Sequence, residues 1–211
     1  MPQPFHQHIG RAVALRRDNV DTDQIVPAEF CKRVTKSGYE DALFANWRKE
    51  ADFALSQPRA AGASLLLAGR NFGIGSSREH AVWALRDGGF TVVIAAGFGD
   101  IFQRNALNNG LLPIEQPLPV VEHLMSSVEA NPEGTVAVDL VNCTVSHDEE
   151  VWDFTVEARA RRLLLAGHDA ISSSLRHADL IFAHEQSRAP WLPELRNPEG
   201  PELGNPDGAA S

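Results

Sequence analysis

Two short apolar runs, Ser64–Ala68 and Thr91–Ala96, flank a glycine-punctuated loop and a helix-patterned stretch, and this arrangement most narrows the folds open to the chain. Each run is rich in Leu, Val or Ile without polar alternation and ends at glycine, as strands buried on both faces do. Arg78–Asp87 sets Ala81, Val82 and Leu85 on one helical face, and Gly88-Gly89 stops it. The unit is strand–loop–helix–strand, and the chain is of the α/β class. Gly10–Arg16 alternates like an early strand. Asp100–Leu107, closed by Asn108-Asn109-Gly110, and Val120–Glu129 read as helices. Thr135–Val138, Cys143–Ser146 and Val151–Thr155 read as a late antiparallel group, which argues against a plain doubly wound sheet. Val156–Ala166 and Asp169–Gln186 close the body as helices.

A length of 211 residues allows one domain or two small ones, and no internal repeat is visible. The folded domain is expected over residues 1–187. From Arg188 onward Pro and Gly recur and apolar periodicity vanishes, so 188–211 is expected to be a tail, disordered over Asn197–Ser211. With 19 Lys and Arg against 28 Asp and Glu, the net charge of −9 argues against general nucleic-acid binding and against docking on an anionic membrane. No apolar run approaches the roughly 18–20 residues of a spanning helix. Met1–Gly10 lacks the basic start and apolar stretch of a signal peptide, so a cytoplasmic protein is expected. Cys31 and Cys143 stand in unrelated contexts, so no disulfide framework is expected. Two thiols cannot by themselves hold an iron–sulfur cluster or a Cys-rich zinc site.

The loop Gly69-Arg70-Asn71-Phe72-Gly73-Ile74-Gly75-Ser76-Ser77-Arg78-Glu79-His80 carries the chemistry. It leaves a buried strand and enters a helix, the end of an open α/β sheet where ligands collect. Ser76 and Glu79 have capping-box spacing, which would put Ser76 at the N-cap. A helix N-terminus favours anions, and Arg78 adds a planar guanidinium suited to a carboxylate. A phosphate-binding P-loop is excluded by the missing Lys, and the dinucleotide pattern by Arg at position 78. From the residues alone, a plain helix cap with a surface Arg78 stands level with an anion site. The second segment, Asp18-Asn19-Val20-Asp21-Thr22-Asp23-Gln24-Ile25-Val26-Pro27, puts three acids within six residues. It reads as a turn, a metal site or a set of charge partners, but lacks the EF-hand spacing. Lys32-Arg33 after it could bind a second carboxylate, although a solvated basic pair is the simpler reading.

Together the two segments resemble the small-subunit family of the bacterial 3-isopropylmalate dehydratases. The resemblance rests on N-V-D-T-D-Q-I-V-P at Asn19–Pro27, K-R at Lys32-Arg33, G-R-N-F-G-I-G-S-S-R-E-H-A at Gly69–Ala81 and F-G-D-I-F-Q-R-N-A-L-N-N-G-L-L-P-I at Phe98–Ile114. It implies the fold of the mobile aconitase C-terminal domain, a single swivelling β/β/α domain. It implies a heterodimeric hydro-lyase of leucine biosynthesis that interconverts 2-isopropylmalate and 3-isopropylmalate through 2-isopropylmaleate. No cofactor would be bound by this chain, and a four-iron–four-sulfur cluster would sit in the large partner subunit. Ser76 would act as the base in alkoxide form, Arg78 would stabilise it or bind a substrate carboxylate, and Asp23 would orient. Arg33, with Lys32, would clamp the second carboxylate, and Ser77 would donate a supporting hydrogen bond. His80, Asn105 and Asn108 could support the site, but a packed helical histidine and helix-end caps explain them as well. Cys31 stands where the family usually has an apolar residue. His168–Leu175 is more polar than is usual there.

Related hydro-lyases, acting on homoaconitate, citraconate or a dimethylmalate, would share the Ser-Ser-Arg loop. They would differ in the pocket for the substrate's variable group, expected between Phe30 and Trp47. A non-catalytic carboxylate-binding module is the reading from a different class.

Overall fold

A computed structural model of the chain describes residues 3–167, 174, 177–189 and 191–193. Its strands are β1 (Gln7–Leu15), β2 (Leu65–Ala68), β3 (Val92–Ala95), β4 (Leu112–Glu115), β5 (Thr135–Asp139), β6 (Thr144–His147) and β7 (Glu150–Asp153). The described helices are α1 (Thr22–Ile25), α2 (Glu79–Asp87), α3 (Asp100–Asn108), α4 (Leu118–Ala130), α5 (Ala158–Ala166) and α6 (Ala178–Gln186). By its contacts the chain divides after Ser173, and α6 lies in the second unit. Of the expected closing helix, Ala178–Gln186 is helical; residues 169–173 and 175–176 lie outside the described residues, as does the expected disordered tail, Asn197–Ser211.

The seven strands form one sheet in the order β4-β3-β2-β1-β5-β6-β7. β1 joins its two halves. Gln7–Arg11 pairs antiparallel with β5, and Ala12–Leu15 pairs parallel with β2. Burial follows the pairing: the first half of β1 is partly open, while Ala12, Val13, Ala14 and Leu15 are all buried. Parallel strands carry cover on both faces, which is why β2 and β3 need continuous apolar runs. Alternate residues feed two cores. Val13, Leu15, Leu66, Ala68, Val93 and Ala95 face the layer of α2 and α3, with Val82, Leu85, Phe102 and Ala106. Ala12, Ala14, Leu65, Leu67, Val92 and Ile94 face α4 and the antiparallel strands, with Val121, Leu124 and Val138.

The late antiparallel group stands as expected, in β5, β6 and β7. The sequence pattern did not suggest β4, because Pro113 sits inside it. Pro is tolerated there since β4 is the sheet's edge and pairs on one side only, with β3.

Candidate active site

The two motif segments, about fifty positions apart, close on each other beyond the ends of β1 and β2. The Val20 carbonyl accepts from Gly73 N at 2.7 Å and Ile74 N at 3.2 Å, and Thr22 N donates to the Ile74 carbonyl at 3.0 Å. Asn19 N donates to the Arg70 carbonyl at 2.8 Å, and Arg70 N returns a bond to Asp18 Oδ1 at 2.7 Å. On its other side the loop is held by Phe72 N, which donates to Gly97 O, and by Gly99 N, which donates to Phe72 O, both at 2.9 Å. Of the three acids, Asp21 is a helix cap. It accepts from Gln24 N at 2.8 Å while Gln24 Oε1 accepts from Asp21 N at 2.9 Å, a capping box that starts α1. Asp18 serves the Arg70 backbone. Asp23 forms an ion pair with Arg78, so one acid of the first segment meets the guanidinium of the second.

Ser76 and Ser77 lie exposed between the closed loop and α2. The Ser76 carbonyl accepts from Thr22 Oγ1 at 3.2 Å and from Arg78 N at 2.8 Å, which fixes its backbone. The expected capping box at Ser76 does not form. The N-cap of α2 is Arg78, and no side chain caps the helix. Glu79 instead takes a 2.8 Å hydrogen bond from Asn109 Nδ2, whose Oδ1 accepts from Trp83 Nε1 at 3.0 Å. Among the described residues the Ser76 hydroxyl has no partner. Asn109, rather than Asn105 or Asn108, links the end of α3 to α2.

Lys32 is exposed, while Arg33 is bound within the chain, by both its Nη atoms to Asp41 at 2.7 Å each. Cys31 senses the site: burial pushes its thiol up, Arg78 pulls it down and Asp23 pushes it up. His80 packs edge-on against Tyr39 and Trp83, with centroids at 5.7 and 4.9 Å. Burial and then Arg78 hold its imidazole below the ordinary histidine range, against an opposing pull from Glu79, and its buried Nδ1 has no partner among the described residues, which fits a packed helical histidine. The two aromatics expected to flank a pocket have separate neighbours. Phe30 lies under Arg33, while Trp47 stacks on Phe44 and lies under Arg17. Among the described residues no cluster of His, Cys, Asp and Glu could hold a metal ion, and Cys31 and Cys143 are both free thiols.

The fold and this loop past the ends of the parallel strands belong to the aconitase C-terminal domain class, whose family model matches residues 2–119. Among curated proteins, a 3-isopropylmalate dehydratase small subunit of Acidothermus cellulolyticus is 52% identical over 92% of this chain and 98% of its own. One of Salinispora tropica is 50% identical over 92% of this chain and 99% of its own. A solved 3-isopropylmalate dehydratase structure from Methanocaldococcus jannaschii superposes with a TM-score of 0.60 at 28% identity, covering 85% of this chain and 99% of that one. The chain belongs to the family of 3-isopropylmalate dehydratase small subunits. The family's name implies a large-subunit partner.

Proposed function

We propose that this chain, joined to its large subunit, supplies the base and the carboxylate contacts of a hydro-lyase that interconverts 2-isopropylmalate and 3-isopropylmalate through 2-isopropylmaleate in leucine biosynthesis. The observation that carries this is the Asp23–Arg78 pair beside the exposed Ser76-Ser77, where two distant segments are hydrogen-bonded into one rigid edge. Exposure of that edge fits a site that is finished by another chain. Two free thiols fit work in a reducing cytoplasm.

The reaction removes a proton from carbon and a hydroxyl from the neighbouring carbon, then adds both back with positions exchanged. The four-iron–four-sulfur cluster of the large subunit would supply the Lewis acid for the hydroxyl; the two separate cysteines of this chain do not fit such a group. This chain's part is the proton. Ser76 Oγ, which has no partner among the described residues, takes the proton from carbon and returns it on rehydration. A serine does this only as an alkoxide, which the uncapped N-terminus of α2 and the Arg78 guanidinium stabilise. Asp23 orients Arg78, Ser77 donates a supporting hydrogen bond, and the Lys32-Arg33 pair serves the second carboxylate.

The test is reconstitution with the large subunit, followed by the ultraviolet absorbance of isopropylmaleate. Turnover of homoaconitate, citraconate or dimethylmalate in preference to isopropylmalate would transfer the chain to a related hydro-lyase. Arg33→Ala is expected to raise KM about tenfold with kcat nearly kept, whereas Arg78→Ala lowers kcat about tenfold as well. Equal, small effects on both parameters would return these arginines to the solvated surface. Purified alone and anaerobically with iron and sulfide, the chain is expected to stay colourless and inactive. Stoichiometric cluster absorption in the lone chain would contradict the divided site.

A further inference from the structure

Arg33 is the residue of the basic pair whose charge is already committed. Its guanidinium makes two parallel bonds to Asp41, at 2.7 Å from Nη1 to Oδ1 and 2.7 Å from Nη2 to Oδ2. Nη1 also donates to the Gly38 carbonyl. The flat group lies 5.0 Å from the Phe30 ring centre and 5.4 Å from that of Tyr39. The pair holds the Asp41 carboxyl below the usual carboxylate range and raises Arg33 further. A bidentate, stacked guanidinium fixes both distance and plane, which a lone lysine could not do.

These bonds close residues 33–41 on themselves. Gly38 turns the chain at φ +84°, where an added Cβ would meet nothing within 4 Å. Inside the loop the fully buried Tyr39 donates its hydroxyl to the carbonyls of Arg33, at 3.2 Å, and Thr35, at 3.1 Å. Tyr39 N donates to Asp87 Oδ2 at 2.9 Å, and its ring meets His80 and Trp83. The loop is therefore bolted to α2, the helix whose N-cap is Arg78, and its first residue follows Lys32 directly.

We infer that Asp41 is a positioning residue for the reaction: it latches Arg33, and the latched loop, tied to α2 through Tyr39, fixes the chain that carries Lys32. This rests on the proposed reading that the Lys32-Arg33 pair serves a substrate carboxylate, and it assigns Arg33 an indirect part in that service. Nothing local marks Asp41 in the sequence, since it lies eight positions from its partner.

Charge exchange tests it in the reconstituted complex. Asp41→Asn and Arg33→Gln are each expected to raise KM about tenfold with kcat within about twofold, the pattern of lost ground-state positioning. The exchanged double variant, Arg33→Asp with Asp41→Arg, is expected to recover most of the KM. A direct clamp predicts the opposite: Asp41→Asn frees Arg33 and leaves KM unchanged or lower, while the exchange abolishes binding. Either result would overturn the latch. Amide hydrogen exchange over residues 34–38 in the full chain reads the latch without substrate, and both single variants are expected to quicken it. Quickened exchange with no isopropylmalate turnover in the wild-type complex would leave the latch standing and sink the proposed activity. Unchanged exchange would sink the latch whatever the activity.

Discussion

Ser76→Ala is expected to leave the fold intact and to lower kcat by about 10² to 10⁴. The two halves of that expectation come from different observations. The hydroxyl of Ser76 makes no hydrogen bond among the described residues, and the N-cap position of α2 belongs to Arg78. Its removal therefore costs no cap, and the stability change should stay within about 0.5 kcal/mol, as for an ordinary surface site. A true N-cap serine would cost about 0.5–2 kcal/mol and leave turnover in the folded fraction alone. The kinetic loss should fall on dehydration of both isopropylmalate isomers and on hydration of isopropylmaleate, since all break or form the same C–H bond. KM should change little, because Arg78 and the Lys32-Arg33 pair remain. Complex formation with the large subunit must be checked first. Near-normal turnover in a correctly assembled Ser76→Ala complex would leave the base elsewhere.

Reading the sequence picked out the two segments that form the candidate site and left their contact unseen. The strands β2 and β3 and the helix α2 are legible because burial on two faces and one-face periodicity leave local patterns. The candidate residues were legible by resemblance, through Asn19–Pro27 and Gly69–Ala81. The reason they meet is non-local: the hydrogen bonds of Val20 and Thr22 to residues 73–76 have no signature in either segment alone. Local chemistry also misled. Ser76 and Glu79 have capping spacing, yet Asn109 engages Glu79 and the working capping box is Asp21 with Gln24. Asp41 and Tyr39 gave no sign, because a loop that closes on itself over eight residues follows neither helical nor strand period.

Of the two loop glycines with positive φ, Gly73 is the one whose replacement by alanine is expected to cost the fold more. Gly73 stands at φ +73°, a conformation that costs an L-residue about 1–2 kcal/mol. An added Cβ would also fall 2.7 Å from both Cβ and Cδ2 of Phe102. That ring cannot step aside. It is 2% exposed, meets Phe72 edge-on with centroids 5.3 Å apart and stacks on Phe98 at 6.1 Å. Forcing a methyl into such packing costs about 1–3 kcal/mol. The sum is about 2–5 kcal/mol, which for a chain of this size lowers Tm by roughly 4–20 °C. Gly75 provides the internal control. Its φ of +94° carries the same backbone term, but its nearest neighbour, Asp21 Cβ, would lie at an ordinary 3.6 Å. Gly75→Ala should therefore lose only about 1–2 kcal/mol. A thermal melt of the two variants separates the terms, because the difference between them is the Phe102 contact. Equal melts would mean that the aromatic wall yields. If Gly73→Ala is the weaker, the rigidity that presents Ser76 at its edge comes from the packing of Phe72, Phe98 and Phe102 beneath the loop, and not from its backbone bonds alone.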